Sequence, residues 1–250
     1  MVQTLLKDYI AQLDLDRFHE ERGRMRGLAA VVFDLDGTIV EFKIDYVKAR
    51  REAIAEIKRL HLLPERMLSE RESLFKLYET VRGMKSMRPE ILFRLREVIL
   101  QTADTHELDA ARRTGLISGA RETLREMRRL KLKLGLCTIA GAKSMNVILE
   151  RFGLRELFDA CVSRDDVIRL KPNPEHLQEA FNRLGVVAGE SAVVGDSYSD
   201  AIAARRLGAL AVGVTTGLST REQLEAAGAE IVLKSIADLP PVIKRFTSTL

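Results

Sequence analysis

The sequence predicts an α/β fold: a Rossmann-like parallel sheet flanked by helices, with an inserted all-helical domain after the first strand. Three observations carry this. Short apolar runs of strand length alternate with helical patterns over most of the chain. The stretch from Phe42 to Leu116 breaks that alternation, its apolar residues recurring at helical spacing. Acidic, hydroxyl and lysine side chains fall just after the strand runs, at the sheet edge where open parallel sheets bind ligands.

Taken in order, Leu5 to Phe18 reads as an amphipathic helix, with Leu5, Leu6, Ile10, Leu13 and Phe18 roughly on one side, ended by the Arg- and Gly-rich stretch 22–27. The first strand is the Val-rich run Leu28 to Phe33, continuous enough to be buried on both faces. Comparable runs lie at Leu132 to Cys137, Ala192 to Val194, Leu210 to Val214 and Ile231 to Leu233, with a weaker one at Ala160 to Ser163. Helical patterns separate them around Arg121 to Leu130, Ser144 to Phe152, Pro174 to Leu184 and Asp200 to Leu207. Within the insertion, Ile91, Leu95, Val98 and Ile99 mark one helix face; breaks near Pro64, Gly83 to Pro89 and Ala103 to Thr105 predict four helices. The expected organisation is an N-terminal extension (1–27), a core (28–41 and 117–250) and a helical domain (42–116).

Composition bounds the function. With 250 residues, 46% hydrophobic and 30% charged, the chain can bury a core, which excludes a disordered or fibrous protein. No apolar run reaches the ~20 residues of a membrane span. Residues Met1 to Arg26 carry five acidic groups and no continuous apolar stretch, unlike a signal or transit peptide. Cys137 and Cys161 alone exclude a disulfide scaffold and a cysteine-based zinc site, and are expected as buried thiols in a reducing cytoplasm. The net charge of +4 arises within 42–116, with 16 Lys/Arg against 12 Asp/Glu; the remainder holds 24 of each. Without like-charge blocks or interleaved aromatics, that surplus suits a small anionic substrate and not a nucleic acid or a membrane. The expected state is a monomer or homodimer.

Immediately after the strand runs stand Asp34-Leu35-Asp36-Gly37-Thr38, then Thr138, then Gly195-Asp196-Ser197-Tyr198-Ser199-Asp200, with Lys171 before Pro172-Asn173-Pro174. One strand-end Asp is an ordinary cap or turn former. Four, with a lysine and a hydroxyl at successive strand ends, call for a positive neutraliser, and a hard cation such as Mg²⁺ takes carboxylate and phosphate oxygens. Asp34 and Asp36, two residues apart, can face one cleft and divide nucleophilic attack from proton handling. Gly37 permits a close turn whose N–H groups, with Thr38, are expected to hold anionic oxygens, while Thr138 and Lys171 complete a phosphate cradle.

This pattern resembles the haloacid dehalogenase-like superfamily of phosphohydrolases, over about residues 28–235. Its four motifs match in order at 34–38, Thr138, Lys171 in Lys-Pro-Asn-Pro, and Gly-Asp-Ser with Asp196 and Asp200. The resemblance implies Asp34 as nucleophile forming an aspartyl-phosphate, and Asp36 as the acid and base. It implies Mg²⁺ on Asp34, Asp196 and the Asp36 carbonyl, with Asp200 on the metal's water or on Lys171. Thr138 and Lys171 would hold the phosphoryl group. A helical cap between the first two motifs would select the substrate; the 104 positions from Asp34 to Thr138 suffice, whereas the 33 from Thr138 to Lys171 are too few for the alternative α/β cap.

Asp36 disfavours dehalogenases and phosphonatases, which lack an acid there, and transport ATPases need membrane helices. The helical cap and the run from Gly195 to Gly217 look most like phosphoglycolate phosphatase, although Ala140 stands where relatives often carry Asn. The expected reaction is Mg²⁺-dependent hydrolysis of a small phosphorylated metabolite. The alternatives are a phosphomutase of the β-phosphoglucomutase type and a non-catalytic phosphate-binding regulator. Arg82, Lys85, Arg88 and Arg113 are candidate substrate contacts, each more ordinary as a solvated helix residue. His176 is expected on the surface or in packing, and His19, His61 and His106 show no metal spacing.

Overall fold

The structure is a computed structural model that describes residues 27–70 and 72–247. The expected N-terminal helix lies outside these residues. The described chain divides into two compact units, one from 27–42, 115–142 and 149–247, the other from 43–114 with 143–148.

The first unit is built on a six-stranded parallel sheet. Its strands are β1 (Ala30–Phe33), β2 (Lys133–Cys137), β3 (Ala160–Val162), β4 (Ser191–Gly195), β5 (Leu210–Val214) and β6 (Ile231–Leu233), in the order β3-β2-β1-β4-β5-β6. Every β1 residue is buried, as a strand covered on both faces requires. Alternation along the strand sends Ala30 and Val32 to one face, where they join Leu177, Phe181, Ala201 and Ala204 in a single cluster. Those residues belong to α6 (Pro174–Leu184) and α7 (Tyr198–Leu207). Phe33 and Phe181 are among the largest fully buried side chains, each contributing ~1.5–3 kcal/mol by leaving water. Local chemistry sets the helix ends. The Asn173 side chain accepts from Glu175 N–H and Pro174 occupies the first turn of α6, and Gly185 closes it at φ 63°. Ser197 caps α7 and Gly208 ends it at φ 77°. Alongside β2 runs α4 (Ala120–Arg129), and α5 (Ala142–Arg151) follows the strand. Downstream, α8 (Arg221–Ala226) and α9 (Leu239–Thr247) complete the chain.

The second unit holds α1 (Tyr46–Arg59), α2 (Leu74–Arg82) and α3 (Pro89–Arg113), with a 3₁₀ turn at Glu65–Met67. Ala53, Ile57, Leu77, Val81, Leu95 and Ile99 form its core. The expected break at Ala103 to Thr105 is absent, and α3 runs for 25 residues. A buried stripe through Val98, Ile99, Ala103, Glu107, Ala110 and Ala111 holds it helical, and Thr105 Oγ1 donates back to the Gln101 carbonyl. Tertiary burial thus overrides the low helix propensity of Asp104 and Thr105.

Candidate active site

Strand order reverses between β1 and β4, so the crevice beyond their carboxyl ends is the switch point of the sheet. Asp34 is the first residue past β1, its N–H still donating to the Val194 carbonyl of β4 at 2.8 Å. Asp196 follows β4, and Asp200 lies in the first turn of α7. Thr138 follows β2, and Lys171 immediately precedes the Pro172-Asn173 entry to α6.

These residues converge. The Lys171 ammonium donates to Asp34 Oδ1 at 2.8 Å, to Asp200 Oδ1 at 2.5 Å and to the Cys137 carbonyl at 2.7 Å, which occupies its three protons. Lys171, Asp34 and Asp200 are all buried, and one carboxylate oxygen from each of Asp34, Asp196 and Asp200 lies within 4.8 Å of the others. Asp200 therefore both orients Lys171 and stands in the acidic cluster.

One buried ammonium faces three buried carboxylates, and the acidities of Asp34 and Asp196 record the imbalance. Burial pushes Asp34 up to about 7, Lys171 pulling against it and Asp200 adding to it. Burial, then Asp34 and Asp200, hold Asp196 well above the usual carboxylate range. Burial works against the charge on Lys171, yet Asp200 and Asp34 raise it well above its ordinary value. Burial likewise lifts the Cys137 thiol to about 12, so it is neutral and no nucleophile. An all-oxygen cluster with surplus negative charge suits a hard divalent cation.

The glycine loop departs from expectation. Gly37 N–H donates to the Val40 carbonyl and Thr38 N–H to that of Leu35, which also accepts from Ile39 and Val40. Both N–H groups close a tight turn, so they are not the anion-holding donors that the sequence suggested. Gly37, at φ 79°, instead admits Asp196: a Cβ there would lie 2.5 Å from Asp196 Oδ2. The Thr38 hydroxyl is fully buried without a hydrogen-bond partner. Thr138 Oγ1 accepts from Ala140 N–H at 3.1 Å, leaving its proton for a ligand oxygen. Asp36 is half-buried and outside the three-carboxylate cluster.

His176 is fully buried on α6, Nε2 on the Ser163 carbonyl at 3.2 Å, and burial with Lys171 nearby pushes it down to about 3. It is a neutral packing group. In the helical unit Arg82, Lys85, Arg88 and Arg113 are all exposed; Arg113 pairs with Asp109 at 2.5 Å, and His106 with Glu52 at 2.7 Å. The sequence reading missed two contributors. Gly195 lies beneath Asp200, where a Cβ would stand 2.5 Å from Asp200 Oδ2. The loop after β5 reaches Asp196 through Leu218 N–H at 2.7 Å. The Gly-Asp step at 195–196 is a visible signal for the first; nothing local marks the second.

Comparison with known proteins agrees with this fold. Residues 31–214 match the family model described as haloacid dehalogenase-like hydrolase. The chain is 33% identical over 124 residues to a pyrophosphatase PpaX of Bacillus mycoides, covering 50% of this chain and 58% of that one. With pyrophosphatase PpaX of Bacillus velezensis it shares 27% identity over 215 residues, 85% of this chain and 94% of that one. The chain thus spans little more than half the length of the first of these relatives. A hydrolase from Pseudomonas syringae has a similar structure, with TM-score 0.65 and 28% identity, covering 88% of this chain and all of the other.

Proposed function

The chain belongs to the haloacid dehalogenase-like hydrolase family, and from that premise we propose that it is a Mg²⁺-dependent phosphatase acting on a small phosphomonoester. The observation that carries the reading is the buried Lys171 ammonium shared by Asp34 and Asp200, with Asp196 beside them at the sheet's switch point. Asp34 is the nucleophile. Its carboxylate oxygen attacks phosphorus as the bond to the leaving oxygen breaks, giving an aspartyl-phosphate. Asp36 donates a proton to that leaving oxygen, then takes one from the water that attacks phosphorus and frees Asp34. The Thr138 hydroxyl holds a phosphoryl oxygen, and Lys171, its three protons spent on Asp34, Asp200 and the Cys137 carbonyl, supplies positive charge beside it, because this chemistry depends chiefly on positioning and charge neutralisation. Asp34, Asp196 and Asp200 would hold Mg²⁺, which would neutralise developing phosphoryl charge when bound. Substrate choice is assigned to the helical unit, with the exposed Arg82, Lys85, Arg88 and Arg113 as candidate contacts. We assign the protein to the cytoplasm, in keeping with the free thiols Cys137 and Cys161.

A second substrate reading, pyrophosphate, is favoured by the relatives that bear the name pyrophosphatase. Phosphate release from phosphoglycolate, sugar phosphates, nucleotides and pyrophosphate, with Mg²⁺ or EDTA, tests both beside Asp34→Asn. Metal-dependent release that disappears in the variant is expected, and the preferred compound chooses between the readings. No release from any compound, or release that survives Asp34→Asn, overturns the proposal.

A further inference from the structure

The loop after β5, residues 215–219, is fastened to both strand-end loops of the site. Thr216 Oγ1 donates to the Gly37 carbonyl at 2.5 Å, tying it to the Asp34 loop. Leu218 N–H donates to Asp196 Oδ2 at 2.7 Å, and Ser219 N–H to the Asp196 carbonyl at 3.1 Å. Ser219 Oγ accepts from Tyr198 N–H at 3.0 Å, and Thr215 N–H donates to the Leu233 carbonyl at the end of β6. Between these ties sits Gly217, where a Cβ would overlap Asp196 Oδ2 and lie 2.5 Å from its carboxyl carbon. No heavy atom fits at that distance, so the Asp196 carboxylate occupies the volume of a missing side chain.

We infer that Thr216 and Gly217 are positioning residues that set the orientation of the Asp196 carboxylate and, through it, the affinity of the acidic cluster for a divalent cation. Gly217 supplies the space, Leu218 N–H fixes one carboxylate oxygen, and Thr216 locks the loop against the backbone of the nucleophile turn. A carboxylate held by a backbone N–H and walled by two glycines has little freedom to rotate, so the cation meets a preorganised ligand. The inference rests on the proposed metal-dependent function and adds to it residues that lie outside the four strand-end motifs.

The test is calorimetric Mg²⁺ affinity of the full chain, with the urea midpoint as control for folding. Thr216→Val removes one hydroxyl at constant volume and is expected to weaken Mg²⁺ binding roughly 10-fold, while Thr216→Ser, which keeps the donor, restores it. Gly217→Ala displaces the carboxylate and is expected to weaken binding roughly 10–100-fold. If Gly217→Ala does not fold, the two Thr216 variants decide. Wild-type affinity in Thr216→Val, or a loss that Thr216→Ser does not restore, overturns this inference and leaves the functional reading standing. A wild-type chain that binds no Mg²⁺ overturns both.

Discussion

Replacing Asp34 by Asn should abolish turnover and stabilise the metal-free protein at the same time. The Asp34 carboxyl is raised from an ordinary 3.8 to about 7, chiefly by burial. The folded state therefore binds its proton more tightly than the unfolded chain between those values. Hence the stability tied to this proton is complete below pH 3.8 and is lost as pH rises to 7 and above. With about 1.4 kcal/mol for each tenfold change in proton affinity, the loss by pH 8 is roughly 4 kcal/mol. Asn is neutral throughout and nearly the same size, and Lys171 keeps Asp200 and the Cys137 carbonyl as partners. Urea unfolding in EDTA should show Asp34→Asn matching wild type near pH 4 and exceeding it by up to about 4 kcal/mol at pH 8. An advantage that is absent at pH 8, or that does not shrink on acidification, refutes the electrostatic account of the site.

Lys171→Met removes the only buried cation shown between Asp34 and Asp200, leaving two carboxylates unneutralised. It should cost about 3–5 kcal/mol at pH 8 in the absence of metal and eliminate phosphate release, as measured by urea unfolding and a phosphate assay; unchanged stability contradicts the charge assignment. His176 carries the opposite sign. Its folded value is lowered from 6.5 to about 3, so its stabilising contribution is present above pH 6.5 and lost as pH falls. Wild type should therefore lose roughly 3 kcal/mol more than His176→Gln between pH 7 and pH 4, and equal acid slopes would refute a buried neutral imidazole.

The sheet is legible in the sequence because its strands are buried on both faces and written as short apolar runs. β5 and β6 match their runs to the residue, and β1 begins only two residues inside its own. The motif residues are equally legible, since a parallel sheet delivers each strand end to one edge. What stays hidden depends on partners far along the chain. The continuity of α3 through Ala103 and Thr105 comes from packing that no local propensity reports. Neither α8 nor α9 stands out in the sequence: α8 is six residues long, and Pro240 and Pro241 read as helix-breaking signals. In the fold these prolines occupy the first turn of α9, where missing N–H groups do no harm. Gly37 illustrates the limit within a motif. Its sequence context announces a turn but cannot say that the N–H groups face inward and the space serves Asp196.

The same charge imbalance joins stability to chemistry. In the metal-free protein, Asp34 near 7 and Asp196 well above its ordinary range mean that the proton is a neutraliser of this cluster. In the proposed mechanism a protonated Asp34 has no carboxylate to attack with, so the form most comfortable in the bare fold is the one least able to act. On that proposal a divalent cation would compete with the proton for the same surplus negative charge, and its binding would favour the ionised form of Asp34. Lys171 cannot do this alone: its three donors are already committed to Asp34, Asp200 and the Cys137 carbonyl, and none reaches Asp196. Asp196 is the carboxylate of the cluster that Lys171 does not reach, and the glycines at 37 and 217, with the Leu218 N–H, hold it in place.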